Sequence, residues 1–308
     1  MSHPAADASP PARLVEAITN DGVTKLRLAL ADGACIETVL LPRGQPSEKG
    51  LSLCLSTQVG CRMGCVFCAT GRMGLVRQLE PEEIVAQLEV AHALGHRPET
   101  LVFMGMGEPL DNFERWREAV RRIVDSRRRG PLPPAALGSM RRMTVSTCGH
   151  VEGLARLARE GLRRMGVAVS LNAPNDAIRS RLMPVNRRWP MAELRRALTE
   201  LPLRNGVLLV EYVLIRGQND AVDHARELAG YLAPLRPLVN LIPYNPLSPD
   251  QGLDPFEPPE AVVVEGFHHT LSSLGVFVRR RSPKGLDIAG GCGQLGGPIA
   301  GPGRKRGP

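Results

Sequence analysis

Hydrophobic residues along this chain gather in short runs of about the length of a β-strand. Residues 51–56 alternate between apolar and polar positions, which is the pattern of a strand with one buried face. Five further runs are almost continuously apolar, as expected of strands in a parallel sheet that is covered on both faces. These runs span residues 100–106, 143–147, 166–172, 207–215 and 238–243.

Helical patterns stand between these runs, with apolar residues three and four positions apart. They include residues 81–94, 113–126, 151–161, 191–201 and 219–232. A strand followed by a helix, repeated along the chain, predicts parallel strands joined by right-handed crossovers. The six strand runs therefore predict an α/β fold in the form of a partial (β/α)6 barrel.

The segment before the barrel has a different pattern. Residues 14–42 contain strand-like runs around Asn20-Asp21-Gly22 and Ala31-Asp32-Gly33, which are turn signals, so we predict a small N-terminal β element. The first dozen residues and the Gly/Pro-rich residues 296–308 are expected to be tails. We expect three regions: residues 1–45 with a tail and the β element, 46–285 with the barrel, and 286–308 with a cysteine-containing loop and a basic tail.

The chain is basic, with 308 residues and a net charge of +8. A positive balance favours a polyanionic partner, because each phosphate that is neutralised releases counterions. Arginine-rich coding can also reflect genome composition, so the charge alone does not establish a nucleic-acid partner. Basic groups stand at residues 121–122, 127–129, 141–142, 163–164, 187–188, 279–281 and 304–306.

Length, hydropathy and cysteine content indicate the compartment. No apolar run reaches the roughly 18 residues that a membrane helix needs, and residues 1–12 are too polar for a signal peptide. The seven cysteines are odd in number and most lie around one loop, which disfavours a secreted disulfide framework and favours a reducing compartment. We therefore expect a cytoplasmic protein without a membrane span.

Three cysteines form the most informative motif. Cys61, Cys65 and Cys68 have the spacing C-x3-C-x2-C, and no fourth cysteine follows at ligand spacing. Three thiolates can hold three irons of a [4Fe-4S] cluster and leave the fourth iron open to a small molecule. The alternative is a structural zinc knuckle, but such sites are normally closed by four Cys or His ligands, usually from paired C-x2-C units. The chain has no second pair, so the pattern favours the cluster.

Polar and glycine-rich segments follow the predicted strands at the ends where parallel α/β sheets bind ligands. After the second strand, Gly107 would allow close backbone approach and Glu108 could accept hydrogen bonds from an ammonium group. Each such segment taken alone could be a turn or a helix cap. Their coincidence on one face of a barrel indicates a binding site. The other segments are residues 146–149, 170–176 and 243–246.

The cysteine spacing is similar to that of the radical S-adenosylmethionine (SAM) superfamily, and residues 37–297 resemble one of its families closely, the RlmN/Cfr group of RNA methyltransferases. The resemblance implies a partial barrel in which the open iron of the cluster binds SAM. It implies methylation of an adenine at carbon 2 or carbon 8, with carbon 2 favoured, in ribosomal or transfer RNA. The matching segments are residues 54–61, 67–71, 105–112, 170–176, 240–246 and 287–295.

The resemblance also implies a role for particular residues. In the family a cysteine is first methylated by SAM, a radical from a second SAM then removes hydrogen from that methyl group, and the carbon adds to the adenine. Cys292 matches the methyl carrier, Cys54 matches the thiol that releases the product by forming a disulfide with it, and Glu37 matches a proton acceptor. The implied SAM-binding residues are Gly107, Glu108, Ser146, Ser170, Leu171, Asn172 and Asn245.

The same resemblance implies two SAM molecules per turnover, an electron donor such as a flavodoxin or ferredoxin, and a monomer. By default Cys35 and Cys148 are inert core thiols, and His92 and His96 lie on a solvated helix face. Ribosomal-type relatives usually have a larger N-terminal accessory region that helps bind RNA, whereas about 60 residues precede the cysteine motif here, so the docking mode stays open. Two other functions also stay open: a radical SAM enzyme that acts on a protein or small molecule, and a non-catalytic iron-sulfur or zinc module that binds RNA.

Overall fold

The computed structural model describes residues 10–43, 50–129, 139–162, 164–203, 208–282 and 284–296. Within them, ten strands form one sheet in the order β1-β2-β3-β4-β7-β8-β9-β10-β11-β12, and β5 and β6 form a separate two-stranded sheet. The strands are β1 (Ala12–Asn20), β2 (Val23–Leu30), β3 (Cys35–Pro42), β4 (Leu51–Cys54), β5 (Gln58–Gly60), β6 (Leu75–Gln78), β7 (Thr100–Phe103), β8 (Met143–Thr147), β9 (Gly166–Ser170), β10 (Leu208–Leu214), β11 (Leu238–Pro243) and β12 (Phe277–Arg280).

The parallel part of the large sheet runs from β4 to β12, and each strand in it pairs in parallel with the next. All six predicted strand runs are strands of this part, so the predicted α/β fold with a parallel sheet is confirmed. The seventh parallel strand, β12, was not predicted. It is a short edge strand in which Phe277 is exposed and two arginines follow, so it lacks the apolar run of a strand covered on both faces.

The predicted N-terminal β element is a three-stranded antiparallel unit, β1 to β3. Its first turn carries Asp21 and Gly22 in the left-handed region, with φ of 47° and 71°, as the Asn-Asp-Gly signal leads one to expect. β3 also pairs antiparallel with β4, so the element extends the barrel sheet. The division of the chain at residue 45 stays a prediction.

The helices cover the sheet and include all five predicted ones, which are α2, α3, α4, α6 and α7 in the following list. Pro81 opens α2, and reciprocal contacts between Glu80 and Glu83 cap its first turn. No helix in the described part of the chain is both long enough and apolar enough to cross a membrane. The helices are α1 (Ala69–Arg72), α2 (Pro81–Ala93), α3 (Phe113–Arg129), α4 (Val151–Arg159), α5 (Asp176–Leu182), α6 (Met191–Thr199), α7 (Val222–Leu232) and α8 (Ala261–Ser273).

Aromatic contacts show how a helix is fixed to the sheet. Trp116 of α3 is fully buried and meets Phe103 of β7 edge to face, with ring centroids 5.7 Å apart. Phe113 packs on the same indole at 5.7 Å. The seven strands of the large sheet that are parallel, β4 and β7 to β12, have their carboxyl ends at one edge of the sheet. The loops that follow these strands converge there.

Candidate active site

The three cysteines of the motif lie in the loop that joins β5 to β6. The N–H of Cys61 donates to the carbonyl oxygen of Gly74 (2.9 Å), and that of Cys68 donates to the carbonyl oxygen of Cys65 (3.2 Å). Gly60 precedes the motif with φ of 74°, and a Cβ at this position would lie 1.9 Å from the carbonyl oxygen of Gly74. Only glycine fits such a close approach, so the hairpin closes the base of the cysteine loop.

The motif thiols face a common space. Burial raises the pKa of all three thiols, that of Cys65 to about 12. The negative charge of a Cys68 thiolate raises the pKa of Cys61 and Cys65 further. Binding to iron would convert the thiols to thiolates despite this burial. Within the described residues, no three His, Cys, Asp or Glu side chains are gathered around a single metal ion. Thiols of a cubane bind different irons, and the three motif cysteines line one cleft, as such a cluster requires.

A cleft at the carboxyl ends of the parallel strands encloses about 990 Å³, part of it open to solvent. It brings together most of the residues that the sequence predicted for the site. Those lining it are Cys61, Cys65, Cys68, Gly107, Glu108, Ser146, Ser170, Asn172 and Cys292.

Glu108 is held rigidly after β7 and is 3% exposed. Its two carboxylate oxygens accept from the N–H of Leu110 (3.1 Å) and the N–H of Cys148 (2.8 Å). Burial raises the pKa of this carboxyl, while these hydrogen bonds lower it. Gly107 has φ of 103° and lies so close to Gln58 that a Cβ would be 2.6 Å from that side chain. The loop therefore presents a buried carboxylate with spare acceptor capacity to the cleft.

Two of the implied SAM-binding residues lie beside the cleft without lining it. Leu171 is 1% exposed and contributes to the hydrophobic core. Asn245 follows β11, and its Nδ2 donates to the carbonyl oxygen of Cys292 (3.1 Å). Asn172 lines the cleft in the left-handed region, with φ of 55°, and its Oδ1 accepts from the N–H of Val213 (2.8 Å).

Cys54 and Cys292 come from distant parts of the sequence: Cys292 lines the cleft, and Cys54 is buried at the end of β4. The burial of Cys54 raises the pKa of its thiol to about 12, and the charge of Cys292 contributes to this rise. Cys292 is exposed at the cleft, although the protein atoms around its thiol raise its pKa as well. Both are free thiols.

Glu37 lies on β3 outside the lining of the cleft. Its Oε2 accepts from the N–H of Gly296 (2.9 Å), and its Oε1 is 3.5 Å from Nζ of Lys25. The side chain is 6% exposed and joins the N-terminal strands to the C-terminal segment. In this arrangement its carboxylate is already paired.

Comparison with known proteins agrees with this geometry. The family model of the radical SAM superfamily matches residues 55–229. A probable dual-specificity RNA methyltransferase RlmN 1 from Protochlamydia amoebophila is 42% identical over 279 residues, which are 90% of this chain and 74% of the relative. The chain belongs to the RlmN family of the radical SAM superfamily. The predicted resemblance is therefore confirmed.

A further RlmN relative and a solved structure support the assignment. A probable RlmN of Chloroflexus aurantiacus is 43% identical over 297 residues, covering 91% of this chain and 75% of the relative. A crystal structure of a radical SAM methyltransferase from Sphaerobacter thermophilus superposes with a TM-score of 0.81 at 40% identity, over 92% of this chain and 81% of that one. Membership in the radical SAM superfamily implies a [4Fe-4S] cluster and SAM, and three thiols with one buried carboxylate in a single cleft suit both.

The RlmN-type site also contains residues that the sequence analysis did not assign to it. Cys148 was placed there only through the predicted strand-end segment 146–149; it lines the cleft, where burial and the neighbouring Glu108 raise the pKa of its thiol, and its interpretation as an inert thiol stays a prediction. Arg179 is fully buried and donates to the carbonyl oxygens of Leu171 (3.1 Å) and Cys148 (2.5 Å), which ties two strand-end loops together. Glu211 lines the cleft from β10. In the sequence, Glu211 and Arg179 are marked only as charged residues among apolar ones. This does not show where either side chain lies.

Proposed function

We propose that this protein methylates an adenine ring carbon of ribosomal or transfer RNA, carbon 2 in preference to carbon 8, through a methylated Cys292. The main support is that Cys292 lines the same cleft as the three motif cysteines, and its charge also reaches the buried thiol of Cys54. Relatives from Protochlamydia and Chloroflexus bear the name of dual-specificity RNA methyltransferases. Carbons 2 and 8 of adenine are electron-poor and do not attack SAM directly, so such a reaction needs a radical route and a methyl carrier.

The cluster end of the cleft would hold the cofactors. Cys61, Cys65 and Cys68 would bind the [4Fe-4S] cluster, and Glu108 would accept hydrogen bonds from the ammonium group of SAM. When bound, the cluster supplies the electron that cleaves SAM. Ser146, Ser170, Asn172 and the backbone at Gly107 would bind the remaining polar groups of SAM. Apolar side chains in the lining, among them Phe67, Phe103 and Ile242, exclude water from the reacting groups.

The carrier loop around Cys292 is held on the end of β11. Asn245 donates to the carbonyl oxygen of Cys292, and Gln294 Nε2 donates to that of Pro246 (2.6 Å). Gln294 Oε1 in turn accepts from the N–H of Gly291 (3.0 Å). These contacts fix the backbone on both sides of the thiol, so that its sulfur can receive the methyl group of one SAM while the thiol proton is lost to solvent or a base. A second SAM per turnover would then serve the radical step.

Cys54 would release the product. Its sulfur would attack the sulfur of Cys292 in the covalent adduct, so that an S–S bond forms while the bond from sulfur to the methylene carbon breaks. The electron pair of the broken bond stays with the base, whose methylene carbon takes up a proton and becomes the methyl group. An external dithiol would reduce the disulfide. The burial of Cys54 keeps this thiol away from other oxidants.

A test of the proposal compares nucleosides from a strain in which the gene is deleted with those of its parent. We expect 2-methyladenosine in RNA of the parent and its loss at one or more positions in the deletion strain, measured by mass spectrometry of nucleosides from separated ribosomal and transfer RNA. Loss of 8-methyladenosine would mean that the carbon assignment is wrong. Identical adenine methylation in the two strains would overturn the proposed function.

The basic surface would serve RNA, although part of it is neutralised. Arg121 forms ion pairs with Glu118 and Asp125 on the same helix. Arg279 and Arg281, in contrast, are exposed at the barrel edge, and the charge of Arg281 reaches the thiols of Cys54 and Cys292. Arg281 therefore lies where a bound RNA has to approach. The side chains of residues 127–129 and the whole of residues 304–306 lie outside the described part of the chain.

RNA affinity should fall steeply with salt if phosphate contacts dominate binding. We expect the double variant Arg279→Ala/Arg281→Ala to bind RNA more weakly at 50 mM salt and to show a slope of log K against log salt that is shallower by about 0.7 to 0.9 per lost phosphate contact. Filter binding across a salt series measures both. Arg121→Ala is the matched control, because that arginine is already paired. An affinity indifferent to salt would contradict a phosphate-dominated interface.

An electron donor such as a flavodoxin or ferredoxin is part of this proposal, because the cluster must be reduced before SAM is cleaved. We also propose that the protein acts as a monomer in the cytoplasm, where its thiols and cluster stay reduced.

A further inference from the structure

Glu211 carries a carboxylate oxygen without a partner inside the barrel. It lies in the middle of β10, is 7% exposed and lines the cleft. Its Oε1 accepts from Nδ2 of Asn240 (2.8 Å). Within the described residues, its Oε2 is buried and has no hydrogen-bond partner. A buried carboxylate oxygen is costly unless it is hydrogen-bonded, so this oxygen indicates a donor on a bound molecule.

The position of Glu211 indicates which molecule that is. The sheet register places it between Ser170 of β9 and Asn240 of β11. Glu211 and Cys292 line the same cleft, and the carboxylate of Glu211 also raises the pKa of the Cys292 thiol. Glu211 therefore lies at the carrier end of the cleft.

The opposite end of the cleft has its own carboxylate. Glu108 raises the pKa of the Cys61 and Cys65 thiols. The ammonium and carboxylate groups of SAM belong at that cluster end. SAM reaches Cys292 from that end with its methyl group, and the base that receives the methyl group must reach Cys292 from the rest of the cleft.

We propose that Oε2 of Glu211 accepts a hydrogen bond from the exocyclic amino group of the target adenine. This inference rests on the proposed function, since a base to be methylated must contact the carrier cysteine. An ionised carboxylate is an acceptor only, and adenine presents an amino donor where guanine presents an acceptor oxygen. Glu211 thus selects adenine over guanine and turns the ring so that the reacting carbon faces Cys292.

The test first maps which adenosine the wild-type protein methylates. It then uses a short unmethylated RNA that contains this target adenosine, and the same RNA with purine riboside at that position. Purine riboside lacks the amino group. We expect wild-type protein to methylate the adenosine RNA with a kcat/KM at least tenfold above that of the purine RNA. In Glu211→Gln, Asn240 still donates to the side-chain oxygen and the amide NH2 takes the place of Oε2. The preference for adenosine should then shrink by at least tenfold.

For each protein, the kcat/KM for the adenosine RNA is divided by that for the purine RNA. Comparing this ratio between the wild type and Glu211→Gln removes the intrinsic difference in reactivity between the two bases. Glu265→Gln, an exposed carboxylate paired with Arg280, is the matched control and should keep the wild-type ratio. Iron content and the Kd for SAM from equilibrium dialysis show whether Glu211→Gln is folded and loaded. Glu211→Leu, which has no acceptor or donor, should also lose the preference.

A Glu211→Gln protein that discriminates between the two RNAs as well as the wild type would overturn the inference alone. A Kd for SAM that rises tenfold with an unchanged ratio would also overturn it, because the oxygen would then serve the adenine or ribose of SAM. A loaded wild-type protein that methylates no adenine in RNA from the deletion strain would overturn the proposed function and this inference together.

Discussion

Cys54→Ala should leave the protein covalently attached to its RNA. Methylation of Cys292 and addition of the methylene carbon to adenine do not need Cys54, whereas cleavage of the bond between sulfur and that carbon does. We therefore expect a protein-RNA adduct to accumulate, with product formation reduced by at least a hundredfold. Denaturing gel electrophoresis with labelled RNA, followed by nuclease digestion and peptide mass analysis, should locate the nucleotide on Cys292.

Cys292→Ala should fail earlier. Without the carrier sulfur neither a methylated protein nor a modified adenine can form, although the cluster should still assemble, because Cys292 lies outside the cysteine loop. Cys35→Ala is the matched control, since this thiol begins β3 and does not line the cleft in the described structure. A cross-link on Cys54 in the Cys292→Ala protein would show that the two roles are reversed. Full turnover in either variant would exclude the methyl-cysteine mechanism.

Removal of any one motif cysteine should abolish SAM cleavage. Anaerobically reconstituted wild-type protein should hold about four irons and four sulfides, as a cubane requires. Cys61→Ala, Cys65→Ala and Cys68→Ala each leave a second iron without its thiolate, so we expect loss of the cluster and of 5′-deoxyadenosine formation, measured by chromatography under dithionite.

Cys148 makes this experiment stricter, because it lines the same cleft as the motif cysteines. Its backbone N–H is bound to Glu108 and it follows β8, so we give its thiol no ligand role. Cys148→Ser should keep the iron content of the wild type, and Cys35→Ala should do the same. Normal SAM cleavage in any of the three motif variants, or loss of iron in Cys148→Ser, would contradict the ligand assignment.

Local patterns were sufficient for most of the regular elements. The six strand runs and five helical patterns predicted real strands and helices, because strands have an alternating or continuously apolar pattern according to their burial and amphipathic helices have a fixed period. The strands β5, β6 and β12 and the helices α1, α5 and α8 were not predicted; of these, β12 and α5 bury no continuous apolar face. In α5, polar and charged residues interrupt the pattern, and one of them, Arg179, is fully buried.

The sequence by itself determined the parallel α/β fold, the cysteine loop and the strand-end segments that form the cleft, because periodicity and residue spacing are local properties of the chain. The resemblance to the RlmN/Cfr group added the expected roles of Cys54 and Cys292. Only the tertiary structure decided which distant residues share the cleft. Glu211 enters it and Glu37 is paired outside it, because the packing of the strands sets the direction of each side chain and the dielectric around each charge, and neither can be read from the order of the residues.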